Sequence, residues 1–235
     1  FAKKGDLVVE IASNDGILLQ HLKNKVNILG IDAAPNAVLR ALKFEIPTFP
    51  SLFNFKTSKL VRNEFGKAKV LMANQCIAHV DDLQDFMEGV NNLLDDKNGT
   101  FIFETGYWGN MVKRTIYEQI YHDHFSYFSL EVWRKFSQSY NLKLFDAVVT
   151  PAQDNCSIRV FFSTKKNVVP SGSSSGSGER RALLVRGEKR EEEDDDEHFC
   201  SWEWWQRQQR RARGALASSF SASSIPSSCS SSGRR

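Results

Sequence analysis

Glycine-rich phosphate loops, cysteine pairs and long apolar runs are all missing from this sequence of 235 residues, and each absence removes a class of protein. The four cysteines, Cys76, Cys156, Cys200 and Cys229, are widely spaced and never form C-x-x-C. That argues against a zinc ribbon, a dithiol redox motif and a disulfide framework, and leaves reduced thiols in a cytoplasmic protein as the expectation. No stretch approaches the ~18 apolar residues that cross a bilayer, and the start, FAKKGDLVVEI, has neither a basic leader nor a cleavable apolar segment. Neither a membrane partner nor export is expected. Charge of one sign is also scarce: 31 Lys and Arg against 28 Asp and Glu leave +3, too weak a field to gather nucleic acid. Phe1 stands where an intact gene product would have Met, so the chain is expected to be part of something longer.

What is present divides near Val169-Pro170. Beyond it come SGSSSGSG, the charge block from Glu188 to Glu197 and a serine-rich end, a composition that cannot bury enough apolar surface to offset ordering. The expectation is one folded domain over residues 1–168 and a low-complexity tail over residues 169–235, disordered or appended as an artefact. Trp202, Trp204 and Trp205 beside Arg207 to Arg213 leave open a partner-binding helix or a basic patch.

The first part alternates apolar runs with amphipathic stretches, the pattern of a mostly parallel sheet covered by helices. Strands are predicted at Leu7 to Ile11, Val26 to Ile31, Val70 to Ala73 and Thr100 to Phe103, with a short extended piece from Ile46 to Phe53. Helices are predicted on the apolar spacing Ile17, Leu18, Leu19, Leu22, and over Ala37 to Leu42, Thr57 to Phe65, Leu83 to Leu94 and Leu130 to Tyr140. Leu142 to Val149 and Ser157 to Ser163 alternate like paired antiparallel strands. Gly106 to Phe128 fits neither period, and an insertion of that length in a compact domain usually carries function.

Ligands of open parallel sheets bind beyond the carboxyl ends of the strands. The first strand ends in Glu10-Ile11-Ala12-Ser13-Asn14-Asp15-Gly16, where Gly16 permits close backbone approach and helix N–H groups beyond it can face a ligand. Two glycines of G-x-G-x-x-G are absent, so a nucleoside fits better than a dinucleotide. Asp32, closing the second strand, is placed to accept from vicinal ribose hydroxyls; the plain alternative is a cap for the helix after Ala33-Ala34-Pro35.

In order and spacing, VEIASNDG, GIDAAPNAV, ANQCIAHVDDLQDF and IYHDHFSYFSL resemble the S-adenosylmethionine-dependent C-methyltransferases of nucleotide-linked deoxysugars, over residues 5 to 163. The stretch Tyr121-His122-Asp123-His124 with Phe125 to Leu130 is the most specific part, although the family signature usually has Glu at the place of Asp123. The resemblance implies a class I, Rossmann-like methyltransferase sheet, mostly parallel and closed by an antiparallel strand. It implies S-adenosylmethionine over Glu10, Ala12, Ser13, Asn14, Asp15 and Gly16, Asp32 on the ribose, and Asn74, Gln75 and the residues to His79 lining the site. The implied partner is a small molecule, a nucleotide sugar. Carbon methylation needs a base to remove a proton beside a carbonyl and a donor to steady the oxyanion. His124 or His122 suits the first role, the resemblance favouring His124, and Tyr121 the second, with Asp123 orienting an imidazole and His79 across the pocket. A zinc site on His122, His124, Asp123 and His79, and a purely structural role for the two histidines, are the alternatives; no metal is expected. The residues carry no signal of oligomeric state.

Overall fold

The computed structural model describes residues 1–152 and 156–165. The expected boundary at residue 168 and the tail therefore lie outside the described residues.

Among the described residues, seven strands form one sheet in the order β3-β2-β1-β4-β5-β7-β6. They are β1 (Leu7–Ile11), β2 (Asn27–Asp32), β3 (Thr48–Pro50), β4 (Val70–Asn74), β5 (Thr100–Gly106), β6 (Lys143–Thr150) and β7 (Ser157–Ser163). The first five run parallel, and β7 enters between β5 and β6 antiparallel to both. This is the mostly parallel sheet closed by an antiparallel strand that the resemblance implied.

Alternation along each strand divides the side chains between two faces. Val9, Ile11, Leu29, Ile31, Leu71, Ala73, Phe101 and Phe103 join the main core, which also takes in Val61 of α2 (Phe55–Phe65), Met87 and Val90 of α3 (Leu83–Leu93), and Trp133 of α5 (Leu130–Gln138). The opposite face carries Ile28 and Met72 against a smaller cluster of Leu19, Ala41 and Ile46, with Ala41 on α1 (Pro35–Lys43). By the same alternation and register, Glu10, Asn74, Glu104 and Arg159 belong to this second face, a polar row across β1, β4, β5 and β7.

Two expectations need correction. After β1 the chain forms only a 3-10 turn, Leu19–His21, rather than a helix through Leu22. Ten residues between Gly16 and Asn27 must return the length of a six-residue strand, about 20 Å. The segment does so by successive turns, with Gln20 N, Lys23 N and Val26 N bonded four residues back and His21 N and Leu22 N three residues back. Leu19 is still fully buried, so the apolar spacing found an inward-facing residue although no α-helix forms there. No α-helix therefore begins beyond Gly16, where a single turn closes from Gln20 N to Gly16 O. Within the aperiodic insertion a short helix, α4 (Trp108–Lys113), forms without an apolar stripe to announce it. No helix among the described residues is long and apolar enough to cross a membrane.

Candidate active site

The loop after β1 turns through three left-handed residues in alternation, Ala12 at φ 54°, Asn14 at φ 52° and Gly16 at φ 75°. Positive φ is routine for glycine, tolerable for Asn and uncommon for Ala, so this loop holds three left-handed positions with glycine at only one of them. At Gly16 a side chain would also strike Ile46, at 2.8 Å from its nearest carbon. Asp32 holds this loop. Its Oδ2 accepts from Asn14 N and its Oδ1 from Ala34 N, both at 2.8 Å. It thus secures the turn into α1 without being the N-cap, which is Ala34. A carboxylate offers about four lone-pair positions, so two acceptor places remain for a ligand's hydroxyls.

Glu10 and Ser13 lie beneath the loop. Glu10 is buried; its Oε1 accepts from Asn74 Nδ2 at 3.2 Å, while Oε2 has no partner. Burial, reinforced by the Asp15 and Asp32 carboxylates, raises its pKa to about 8 despite the Asn74 bond. Ser13 Oγ is buried and unpartnered as well, in space that a side chain at position 30 would take. Two orphaned polar atoms at the end of β1 and just beyond it each call for a hydrogen-bond partner, since buried groups of this kind are otherwise costly. Cys76 is near enough to feel Glu10, and burial pushes its thiol up to about 12, so it is neutral.

Gln75 is engaged by β5 and β7. At φ 51°, it donates from Nε2 to Ser157 Oγ at 3.0 Å and to Glu104 Oε1 at 3.4 Å. Glu104 is buried and takes Arg159 Nε and Nη2 on Oε2, at 3.0 and 2.7 Å, and Thr150 Oγ1 on Oε1 at 3.0 Å. This network was missed in the sequence. A Glu and an Arg inside otherwise apolar strands were the signal available.

The segment then continues through a 3-10 turn, Ile77–His79, onto which the aperiodic insertion docks: Phe125 N and Ser126 N both donate to Ala78 O. His79 Nδ1 donates to Asp123 O at 2.8 Å, and the His79 and His124 rings lie 4.8 Å apart. His124 Nδ1 faces Gln119 O at 3.0 Å. A carbonyl can only accept, so the proton sits on Nδ1 and Nε2 carries the lone pair. Tyr121 Oη lies 2.7 Å from that lone pair and donates to it. Burial holds His124 below the ordinary histidine value, aided by His79 and only partly opposed by the Gln119 bond and Asp123. Burial and Asp123 raise the Tyr121 phenol. The pair is therefore neutral imidazole and protonated phenol at neutral pH.

His122 is not part of this cluster. Its side chain is 91% exposed and meets only the Asp123 carboxylate, Nε2 to Oδ1 at 3.0 Å. Asp123 thus orients His79 through its backbone and spends its carboxylate on His122, not on His124. Among the described residues no group of His, Cys, Asp and Glu is arranged to hold a metal ion.

Comparison with known proteins agrees with this architecture. A family described as a methyltransferase domain matches residues 1–147. A C-methyltransferase of Streptomyces niveus, NovU, is 32% identical over 143 residues, 60% of this chain but 34% of that protein, so the chain spans about a third of its relative's length. Among solved structures, an S-adenosylmethionine-dependent methyltransferase from Clostridium acetobutylicum superposes with a TM-score of 0.54 at 15% identity, over 69% of this chain and 85% of that one. Magnesium protoporphyrin IX methyltransferase from Synechocystis, solved with bound S-adenosylhomocysteine, gives 0.51 at 14% identity, over 68% and 74%. At these identities the structures speak for the fold alone.

Proposed function

We propose, for a chain that belongs to the methyltransferase domain family, transfer of a methyl group from S-adenosylmethionine to a carbon of a nucleotide-linked keto-deoxysugar, with His124 as the base. The observation that carries this reading is the Tyr121–His124 pair, a neutral imidazole whose lone pair is covered by a phenol hydroxyl. Methylation of a hydroxyl needs only a base, whereas methylation of carbon beside a carbonyl needs a base and a hydrogen-bond donor together. The carbon-methylating relative from Streptomyces niveus supports the same choice.

The cofactor fits the residues present. Glu10, Ser13, Asn14, Asp32 and Asn74 would hold it, with Asp32 on the ribose and Glu10 Oε2 receiving a donor it otherwise lacks. When bound, it supplies an electrophilic methyl group on a sulfonium centre. The chain's own residues do the rest. Tyr121 turns its hydroxyl from His124 Nε2 to the sugar carbonyl oxygen, which uncovers the base and steadies the oxyanion in one movement. His124 takes the proton from the adjacent carbon, and its Nδ1–H, held by Gln119 O, keeps the ring aimed. His79, fixed by Asp123 O, flanks the ring and disfavours the imidazolium until a negative oxygen forms beside it.

Incubating the chain with S-adenosylmethionine and keto-deoxysugar nucleotides, then locating the new methyl by NMR, tests the proposal. A methyl on carbon is expected; one on oxygen or nitrogen overturns the assignment. Deuterium uptake beside the carbonyl in D2O, without the methyl donor, tests the base by itself.

A further inference from the structure

We infer that Tyr127 is a positioning residue: its hydroxyl holds both residues that grip the His124 ring, and so fixes which ring nitrogen carries the lone pair. The inference rests on the reading of His124 as the base and adds what keeps that base in usable form.

The base and its phenol partner stand on a stretch with little structure of its own, since between α4 and Phe128 the chain makes turns alone. Phe128, by contrast, is fixed. It is buried against Trp133 at 4.6 Å, bridges to Tyr107 and accepts from Trp108 N at 3.1 Å. Tyr127 is the residue before it. Its ring lies 5.9 Å from that of Trp108 and meets the His124 ring edge-on at 5.7 Å. From this anchor the hydroxyl reaches back along the loop. Oη donates to Gln119 O at 3.3 Å and accepts from Tyr121 N at 3.2 Å, with Tyr121 O a further 3.5 Å contact.

Gln119 and Tyr121 are also the hydrogen-bond partners of the His124 ring: Gln119 O takes the Nδ1–H and Tyr121 Oη covers Nε2. A neutral imidazole has two tautomers, and the one present is chosen by the partners of its nitrogens. Here both partners depend on one hydroxyl. With one proton to donate and lone pairs to accept, that hydroxyl can hold a carbonyl and an amide at once. It grips Tyr121 by the backbone only, so the Tyr121 side chain stays free for the proposed swing from Nε2 to the substrate oxygen.

The test is 15N NMR of the full chain labelled at histidine, in the parent and in Tyr127→Phe, with His124→Asn identifying the His124 signals. No ligand is needed, so the readout is independent of the proposed reaction. Where His124 is neutral, the parent should show one tautomer with Nε2 bare. In Tyr127→Phe, which keeps the ring and loses both bonds, a mixture is expected, with the proton now shared by Nε2 as in free histidine. Deuterium exchange beside the sugar carbonyl should slow in the same variant by up to about a hundredfold, the cost of misplacing a reacting group by about 1 Å. S-adenosylhomocysteine affinity should be unchanged. A merely structural residue would lower stability without moving the tautomer. If Tyr127→Phe does not fold, 4-fluorophenylalanine incorporated in place of Tyr127 keeps the size of the side chain without the donor and repeats the comparison. An unchanged tautomer in the substituted chain, a parent that is already mixed, or exchange at the parent rate once the tautomer has shifted overturns the inference. A parent with the expected tautomer that exchanges no deuterium beside the carbonyl overturns the base reading instead.

Discussion

Tyr121 covers the lone pair of His124 Nε2 with its own hydroxyl at 2.7 Å, so the two side chains must part before either can act on a substrate. Base and donor are thus coupled through one hydrogen bond.

His124→Asn keeps a polar side chain but removes the base. Deuterium exchange beside the sugar carbonyl should fall by about a hundredfold or more, the usual contribution of a positioned base, with S-adenosylhomocysteine binding retained. Tyr121→Phe uncovers Nε2 but removes the oxyanion donor, and turnover should fall by about 10² to 10³. Should Tyr121→Phe speed exchange instead, the hydroxyl acts as a guard on the base and not as a donor to substrate.

Asp32→Ala releases Asn14 N and Ala34 N together, as well as the acceptors proposed for the ribose. Affinity for S-adenosylhomocysteine should drop by about 1.5 to 3 kcal/mol, the range for hydrogen bonds to a charged group. Calorimetry reads this directly, and unchanged affinity would remove Asp32 from the site.

Glu10 gives a pH signature without ligand. The folded chain keeps its proton up to about 8, whereas the unfolded chain loses it near 4.5. Between those values the folded state binds the extra proton, so stability must decline as pH rises through the window. The decline is at most a few kcal/mol, on the scale of about 1.4 kcal/mol per unit. Glu10→Gln should flatten it, making the variant the more stable protein at pH 8.5 in urea titrations and nearly level with the parent at pH 5.

Arg159→Met leaves the Glu104 carboxylate buried without its cation. About 3 kcal/mol of destabilisation is expected, toward the low end for a broken buried pair because the Arg159 side chain keeps 25% of its surface exposed. Adding Glu104→Gln should restore most of the loss. Chemical denaturation of the two single variants and the double variant measures the coupling.

The positions of β1, β2, β4 and β5 were legible because their apolar runs stand out, and the Tyr121 to His124 stretch announced itself through residue types that rarely gather without chemical purpose. Pairing was not legible. That Glu104 lies opposite Arg159 is a fact of register across 55 residues, invisible until β7 is inserted. Nor does the sequence separate His124 from His122: they are two positions apart, and what distinguishes them is that Gln119 O meets one ring while the other stands in solvent. The left-handed turns at Ala12 and Asn14 were hidden for the opposite reason, since neither residue type advertises positive φ as glycine does.

The position of β7 between β5 and β6 also sets an order of assembly. On a growing chain β6 is made before β7, yet every ladder hydrogen bond it can form goes to β7. Until residues 157–163 are available, β6 is an apolar strand with two open edges, and the parallel sheet ends at β5 with its Glu104 uncompensated. The last two strands must therefore add to the sheet as one hairpin, late and together. A chain cut anywhere between them should be retained by chaperones or aggregate, however well its first five strands have formed.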